Sequence, residues 1–183
     1  RAVVAGVQGA VRLYGGDQEH RIRQEILAGI GGVRAIRAFT EVAGLPAPEV
    51  FHMNEGHAGF LGAERIRELI EAGLEFDTAL TVVRSSTVFT THTPVEAGFD
   101  RFDRDLLKKY AKHYTEAQGL SPNDLVVMGL KTEKDDISPF NIALLALSGS
   151  CFVNGVSRLH AQVSKRIFQS RYPRWPENEV PID

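Results

Sequence analysis

The stretch Val50–Phe60, Val-Phe-His-Met-Asn-Glu-Gly-His-Ala-Gly-Phe, constrains the fold more than any other part of the chain. It begins apolar, turns polar within two residues, passes a glycine and then enters helical spacing. This pattern reads as a buried strand that ends in a loop, with a helix leaving the loop. In an open α/β sheet, ligands bind just outside the carboxyl ends of the strands. That position here holds His52, Asn54, Glu55 and His57. A second stretch, Val88–Gly98, repeats the plan. Its apolar start delivers Thr91, His92 and Thr93 to a loop, where Pro94 stops regular pairing because it has no N–H to give. Two such strand ends can converge on one crevice.

The remaining elements follow from periodicity and punctuation. Asp17, after the turn Tyr14-Gly15-Gly16, is placed as a helix N-cap. From Gln18 to about Ala43 apolar residues recur every three or four positions, which predicts an amphipathic helix. Gly29, Gly31 and Gly32 lie inside it, each costing roughly 1 kcal/mol relative to alanine. Together they predict a bend or a close approach by another backbone. Gly44-Leu-Pro-Ala-Pro48 is a linker turn. Ala58–Ala72 is a second helix, with Glu64, Arg65, Arg67, Glu68 and Glu71 read as its solvated face. Phe76–Arg84 is a third, and Thr87–Thr91 the second strand. Strand, helix, helix, strand implies parallel pairing through a crossover. Beyond Gly98, Asp103 caps a helix through about Gln118 and Ser121 caps a short one to Leu130. The charged residues 131–136 read as exposed. Ser138-Pro139 opens another helix with proline at its first position. Cys151–Gly155 reads as an apolar stop and turn, with Cys151 as a buried structural cysteine. A last helix carries His160 on its apolar face as a core histidine. The proline-containing tail from Tyr172 to Asp183 reads as a connector.

Composition removes several functional classes. The 183 residues are 43% hydrophobic with net charge −2. No basic run is interleaved with aromatics, so nucleic acid and anionic membrane are not expected partners. Apolar runs fall far short of the ~20 residues that span a bilayer. One cysteine and no leader-like start lead to the expectation of a soluble cytoplasmic protein. No metal is expected: His52 and His57 do not form His-Glu-x-x-His, and no cysteine cluster exists. There is no Gly-x-Ser-x-Gly nucleophile elbow and no phosphate-cradling glycine loop of either common type. What remains is carboxylate, imidazole, amide and hydroxyl at two strand ends. This mixture suits a neutral polyhydroxy ligand, whose hydroxyls both donate and accept.

Four blocks of the sequence carry a family resemblance. They are Leu-Tyr-Gly-Gly-Asp (13–17) with Arg-Gln-Glu (23–25) and Gly-Ile-Gly-Gly-Val-Arg (29–34); His-Met-Asn-Glu-Gly-His-Ala-Gly-Phe (52–60); Phe-Thr-Thr-His-Thr-Pro-Val (89–95); and Val-Asn-Gly-Val-Ser-Arg-Leu-His (153–160). Over residues 12–170 the chain resembles the α-glucan phosphorylases of the bacterial glycogen, starch or maltodextrin type. Residues 1–11 do not share the likeness, and 171–183 read as a connector.

The resemblance implies part of the N-terminal Rossmann-like half of a two-domain GT-B-type glycosyltransferase, with parallel strands and flanking helices. The implied reaction is reversible phosphorolysis of a terminal α-1,4-linked glucose by orthophosphate, giving glucose 1-phosphate. On this likeness His92 is the active-site histidine that bonds the 6-hydroxyl of the reacting glucose. Its backbone carbonyl faces charge developing near the anomeric centre. Thr93 lines the same subsite, and Asn54, Glu55 and His57 line the channel beside it. Glu96 matches a glucan-contacting glutamate, one residue out of register. Pyridoxal phosphate is the implied cofactor, but no lysine here has the motif of the family's Schiff-base lysine, so no cofactor-binding residue is expected within these residues. The 183 residues alone are therefore expected to be inactive, and a homodimer is expected only at full length. The alternatives are a nucleotide-sugar glucosyltransferase of the glycogen or starch synthase kind, and a non-catalytic glucan-binding module.

Overall fold

A computed structural model describes residues 16–115, 121–131 and 137–183. The expected parallel sheet is present with three strands: β1 (Phe51–Asn54), β2 (Thr87–Thr91) and, later in the chain, one at Phe152–Gly155. β2 is central. Phe51 pairs with Thr87 and Asn54 with Thr90 on one side, and Val88 pairs with Phe152 and Thr91 with Gly155 on the other. The carboxyl ends of all three strands therefore lie side by side.

Helices flank the sheet. The predicted first helix is two helices joined by one wide turn. α1 (Gln18–Ile26) begins where Asp17 accepts the His20 N–H. A π-turn then spans Leu27–Gly31, and α2 (Gly32–Ala43) follows, ending at Gly44 with φ 63°. Of the three glycines, Gly29 makes the close approach and Gly32 meets nothing within 4 Å. A Cβ on Gly29 would lie 2.7 Å from the Leu61 backbone nitrogen, so α3 (Phe60–Glu71) approaches closer than any side chain permits. α4 (Phe76–Ser85) leads into β2. α5 (Arg104–Thr115) starts on an Asp103 cap, and α6 (Pro122–Met128) on a Ser121 cap. The expected continuation of α5 to Gln118 and the charged segment 132–136 lie outside the described residues. α7 (Ile142–Ser148) and α8 (Arg158–Phe168) complete the set. A two-residue antiparallel pair, β3 (Arg101–Phe102) with β4 (Phe140–Asn141), ties the loop after β2 to the start of α7; the strand at Phe152–Gly155 is β5.

Five sequence readings are corrected by this arrangement. Ser138-Pro139 does not open a helix. Phe140–Asn141 is a strand, and the Asn141 side chain caps α7 by accepting from the Ala143 and Leu144 N–H groups. Cys151–Gly155 is not a turn but runs into β5, and Cys151 is exposed rather than buried. Glu64 and Arg65 do not belong to a solvated face. Glu64 is fully buried between Arg34 and Arg67, at 2.7 and 3.1 Å. The Arg65 guanidinium lies 4.3 Å from the Phe51 ring centre and donates to Thr87 Oγ1 and Ser86 Oγ, both at 2.7 Å. Finally, the tail does not simply leave the domain. Val180 and Ile182 are fully buried, and Asp183 bonds along β5, its N–H to Val153 O and its carbonyl to Gly155 N–H.

The core has two parts. One, around Ile22, Phe60, Ile66, Phe102, Phe140 and Leu145, packs the helices against one another. The other packs Phe51, Met53, Phe89 and Val153 of the sheet against Phe168, Val180 and Ile182. The opposite face of the sheet carries His52 and Phe152, both exposed, and no described helix covers it.

Candidate functional site

The site is built where β1 and β2 end. Glu55 follows β1 with φ 74° and ψ 172°, the one non-glycine residue with positive φ among the described residues. Such a conformation persists only when its surroundings over-determine it. Here the determinant is its carboxylate. Oε2 accepts from the His92 N–H at 2.7 Å, the Thr93 N–H at 2.8 Å and the Thr93 hydroxyl at 2.9 Å. Oε1 accepts from the Gly56 N–H at 3.0 Å. One side chain thus pins the loop after β2 to the loop after β1. Asn54 adds a second tie. Its Oδ1 lies 2.5 Å from His92 Nε2, so Nε2 is the donor and Nδ1 is the acceptor of the neutral ring. His92 itself is exposed and Thr93 is half-buried.

Behind this pair a hydrogen-bonded row crosses all three strands. His52 Nε2 is 2.7 Å from Thr90 Oγ1, and Thr90 in turn donates to Asn154 Oδ1 at 2.9 Å. Because the Thr90 proton goes to Asn154, His52 Nε2 is the donor in the first bond. Asn154 then donates to its neighbour's carbonyl, Gly155 O, at 3.0 Å. The third strand's polar end was legible only as part of a matched block, without a role.

His57 stands on the short 3-10 turn Gly56–Ala58 and faces a different set of groups. Its Nδ1 is 3.1 Å from Glu25 Oε1 on α1 and 3.9 Å from Asp100 Oδ2. Arg21 bridges the same two carboxylates, at 2.9 Å to Glu25 and in a short contact to Asp100. The hydrogen bond to Glu25 raises the His57 pKa above its ordinary value, against the opposing effect of burial. Burial raises that of Glu25, opposed first by the His57 bond. Glu25, His57 and Asp100 have the composition of a metal site. The Arg21 guanidinium already supplies positive charge to both carboxylates, so the cluster is an ion-pair network. Sequence reading missed Arg21, Glu25 and Asp100; the spacing of Arg21 and Glu25, one helical turn apart, was the signal available.

Glu96 lies apart from these groups. It is held by Arg101 at 2.9 Å and Lys131 at 2.8 Å, and the Lys131 hydrogen bond chiefly lowers its pKa. No described hydrogen bond joins it to Glu55 or His92. His160 is buried as expected, with Nδ1 3.5 Å from Ser164 Oγ.

Comparison with known proteins identifies the family. A family model described as carbohydrate phosphorylase matches residues 15–179. The chain belongs to the carbohydrate phosphorylase family. It is 57% identical over 178 residues to a glycogen phosphorylase of Mycobacterium tuberculosis, an alignment covering 93% of this chain and 20% of that protein. It is 40% identical over 171 residues to a maltodextrin phosphorylase of Thermococcus litoralis, covering 93% of this chain and 19% of the relative. The brain form of human glycogen phosphorylase is more distant, 25% identical over 148 residues, with 72% of this chain and 18% of that protein aligned. The chain thus spans about a fifth of the length of these phosphorylases.

Proposed function

We propose that this chain forms part of the glucan-binding wall of an α-1,4-glucan phosphorylase, which releases glucose 1-phosphate from glycogen, starch or maltodextrin ends. The observation that carries the proposal is the joining of Asn54, Glu55, His92 and Thr93 at adjacent strand ends in a chain of this family. His92 is the catalytic residue. With Nε2 committed to Asn54, its remaining nitrogen and its backbone carbonyl are the groups offered to the sugar. Thr93 lines the same subsite, and Asn54 and Glu55 fix both residues. His57 lines the adjoining channel, and Glu96 stands at its rim, bound to two cations.

Pyridoxal phosphate, the cofactor the resemblance implies, would supply a phosphate group that relays a proton. On this reading it is held elsewhere, because no lysine here has the motif of the family's Schiff-base lysine. Lys109 and Lys131 are tied to Glu19 and Glu96 in exposed ion pairs, and Lys165 bonds the Asn178 carbonyl. The cofactor, its lysine and the orthophosphate ligands are assigned to further polypeptide. The sheet face that no described helix covers supports this, since parallel sheets are normally covered on both faces. So do the exposed apolar side chains of Phe39, Val42 and Leu45 at the end of α2. The 183 residues alone are inactive on this reading. The full-length protein is a cytoplasmic homodimer, a reading the exposed free thiol of Cys151 fits for the compartment; sedimentation tests the dimer. No described helix is long and apolar enough to cross a membrane.

The test is glucose 1-phosphate formation from maltoheptaose by the full-length, pyridoxal-loaded protein, with and without orthophosphate. Product should depend strictly on phosphate. His92→Ala should lower kcat by roughly 10²–10³-fold, the usual cost of losing one group that stabilises the transition state. Glucan binding with no product from the intact protein would favour a binding module. Turnover of a nucleotide-sugar donor would favour a glucosyltransferase.

A further inference from the structure

Glu25 is the most buried carboxylate near the site, 1% exposed, and the reading of the site above gives it no part. Its two oxygens are used unequally. Oε1 accepts from Arg21 at 2.9 Å and faces His57 Nδ1 at 3.1 Å, while Oε2 is buried with no hydrogen-bond partner among the described residues. A carboxylate placed this way can serve His57 only as an acceptor, so Nδ1 must carry a proton. A neutral imidazole has one N–H and one bare nitrogen, and fixing the proton on one fixes the character of the other. His57 itself is 41% exposed, so the ring bridges interior and surface.

We propose that Glu25 is a positioning residue for His57: its carboxylate holds Nδ1 as the protonated nitrogen, so the ring gains and loses its titrating proton at Nε2. The inference rests on the reading of His57 as a wall of the glucan channel, where Nε2 then accepts from a sugar hydroxyl when neutral and donates to it when protonated. The same carboxylate favours the protonated ring. Among the described residues, the charged groups facing His57 include Glu25 and Arg21 of α1 and Asp100 of the loop before β3. α7 and the π-turn, which also pack on the 3-10 turn, carry no titratable residue. Glu55, on the same loop, directs its carboxylate to Gly56, His92 and Thr93. His52, on β1, is turned to Thr90.

Glu25→Gln separates charge from shape. The amide oxygen can still accept from Nδ1–H, and the amide nitrogen takes the place of the unpartnered oxygen. The probe is diethyl pyrocarbonate, which reacts with unprotonated imidazole. His57 labelling is read peptide by peptide across pH in the full-length protein. The wild-type midpoint should lie above that of Glu25→Gln, and the pH profile of kcat/KM should move in the same direction. Equal midpoints would overturn the proposal, because a merely structural Glu25 would change stability without moving His57's titration. Should Glu25→Gln not fold, a neutron map of the wild-type protein above the midpoint decides. Deuterium on Nδ1 supports the assignment and deuterium on Nε2 alone refutes it. A shifted midpoint in a protein without phosphorolysis would leave Glu25's role standing and defeat the functional reading instead.

Discussion

Removing the Glu55 carboxylate should loosen the His92–Thr93 loop by a calculable amount. Four hydrogen bonds end on it, three of them on Oε2. The site is half-open, so water replaces part of each bond, and a net value of about 0.5–1.5 kcal/mol per bond applies. The three that reach the second loop sum to about 1.5–4.5 kcal/mol. At 1.4 kcal/mol per factor of ten, that is roughly 10- to 2,000-fold in the opening equilibrium of the loop. Hydrogen exchange of the peptide covering residues 88–98 in the full-length protein reads this directly, and Glu55→Ala should speed it by that factor. Glu55→Gly separates the bonds from the backbone. It loses the same carboxylate but relieves the positive φ of 74° at ψ 172°, a nearly glycine-only region that costs an L-residue roughly 1–3 kcal/mol. The glycine variant should therefore melt above the alanine variant in calorimetry, while both lose kcat in parallel. Unchanged exchange at 88–98 in Glu55→Ala would refute the claim that this carboxylate holds the loop. Equal melting of the two variants would refute the strain argument.

Gly29→Ala should destabilise the protein by about 1–3 kcal/mol through overpacking, because the added methyl meets the backbone of Phe60 and Leu61 rather than a movable side chain; a lower thermal midpoint checks it. Ile182→Ala should cost about 2–5 kcal/mol, since the side chain is fully buried beneath the sheet, and a midpoint equal to wild type would return the tail to the status of a connector. The Glu25–His57 pair should make stability fall with rising pH. His57's folded pKa is raised, so its contribution is complete below the unfolded value of about 6.5 and fades as pH climbs through the folded value. The gap in melting temperature between wild type and His57→Gln should narrow from pH 6 to pH 9.

Both strands that form the site were legible because their residues change character within two positions, apolar inside and polar at the end. β5 was not. Its outward Phe152 is exposed and only Val153 is buried deeply, so neither alternation nor a long apolar run marks it. The start of α7 was misread because Pro139 and Asn141 compete as start signals, and the side-chain cap of Asn141 prevails. Glu64 and Arg65 were placed outside because a helical wheel treats charge as exposure. A buried charge with well-placed partners defeats that rule, and the partners come from α2 and β2. The meeting of Asn54, Glu55, His92 and Thr93 was legible because each sits at or just beyond a strand end. Glu25 lies 32 residues from His57 and Arg21 lies 79 from Asp100, and no local pattern encodes such pairings.

The π-turn at Leu27–Gly31 has a consequence for how this segment tolerates change. An α-helix rotates about 100° per residue, and a π-turn absorbs one residue more than an α-turn. The extra residue works as a phase adjuster. Before it, Arg21 and Glu25 point at the site; after it, Arg34 and Arg37 reach Glu64 and Glu68 on α3. Deleting a single residue between 27 and 31 would yield a more regular helix whose two ends no longer address their own partners at the same time. The irregular turn is what lets one continuous rod grip His57 and Asp100 at one end and α3 at the other.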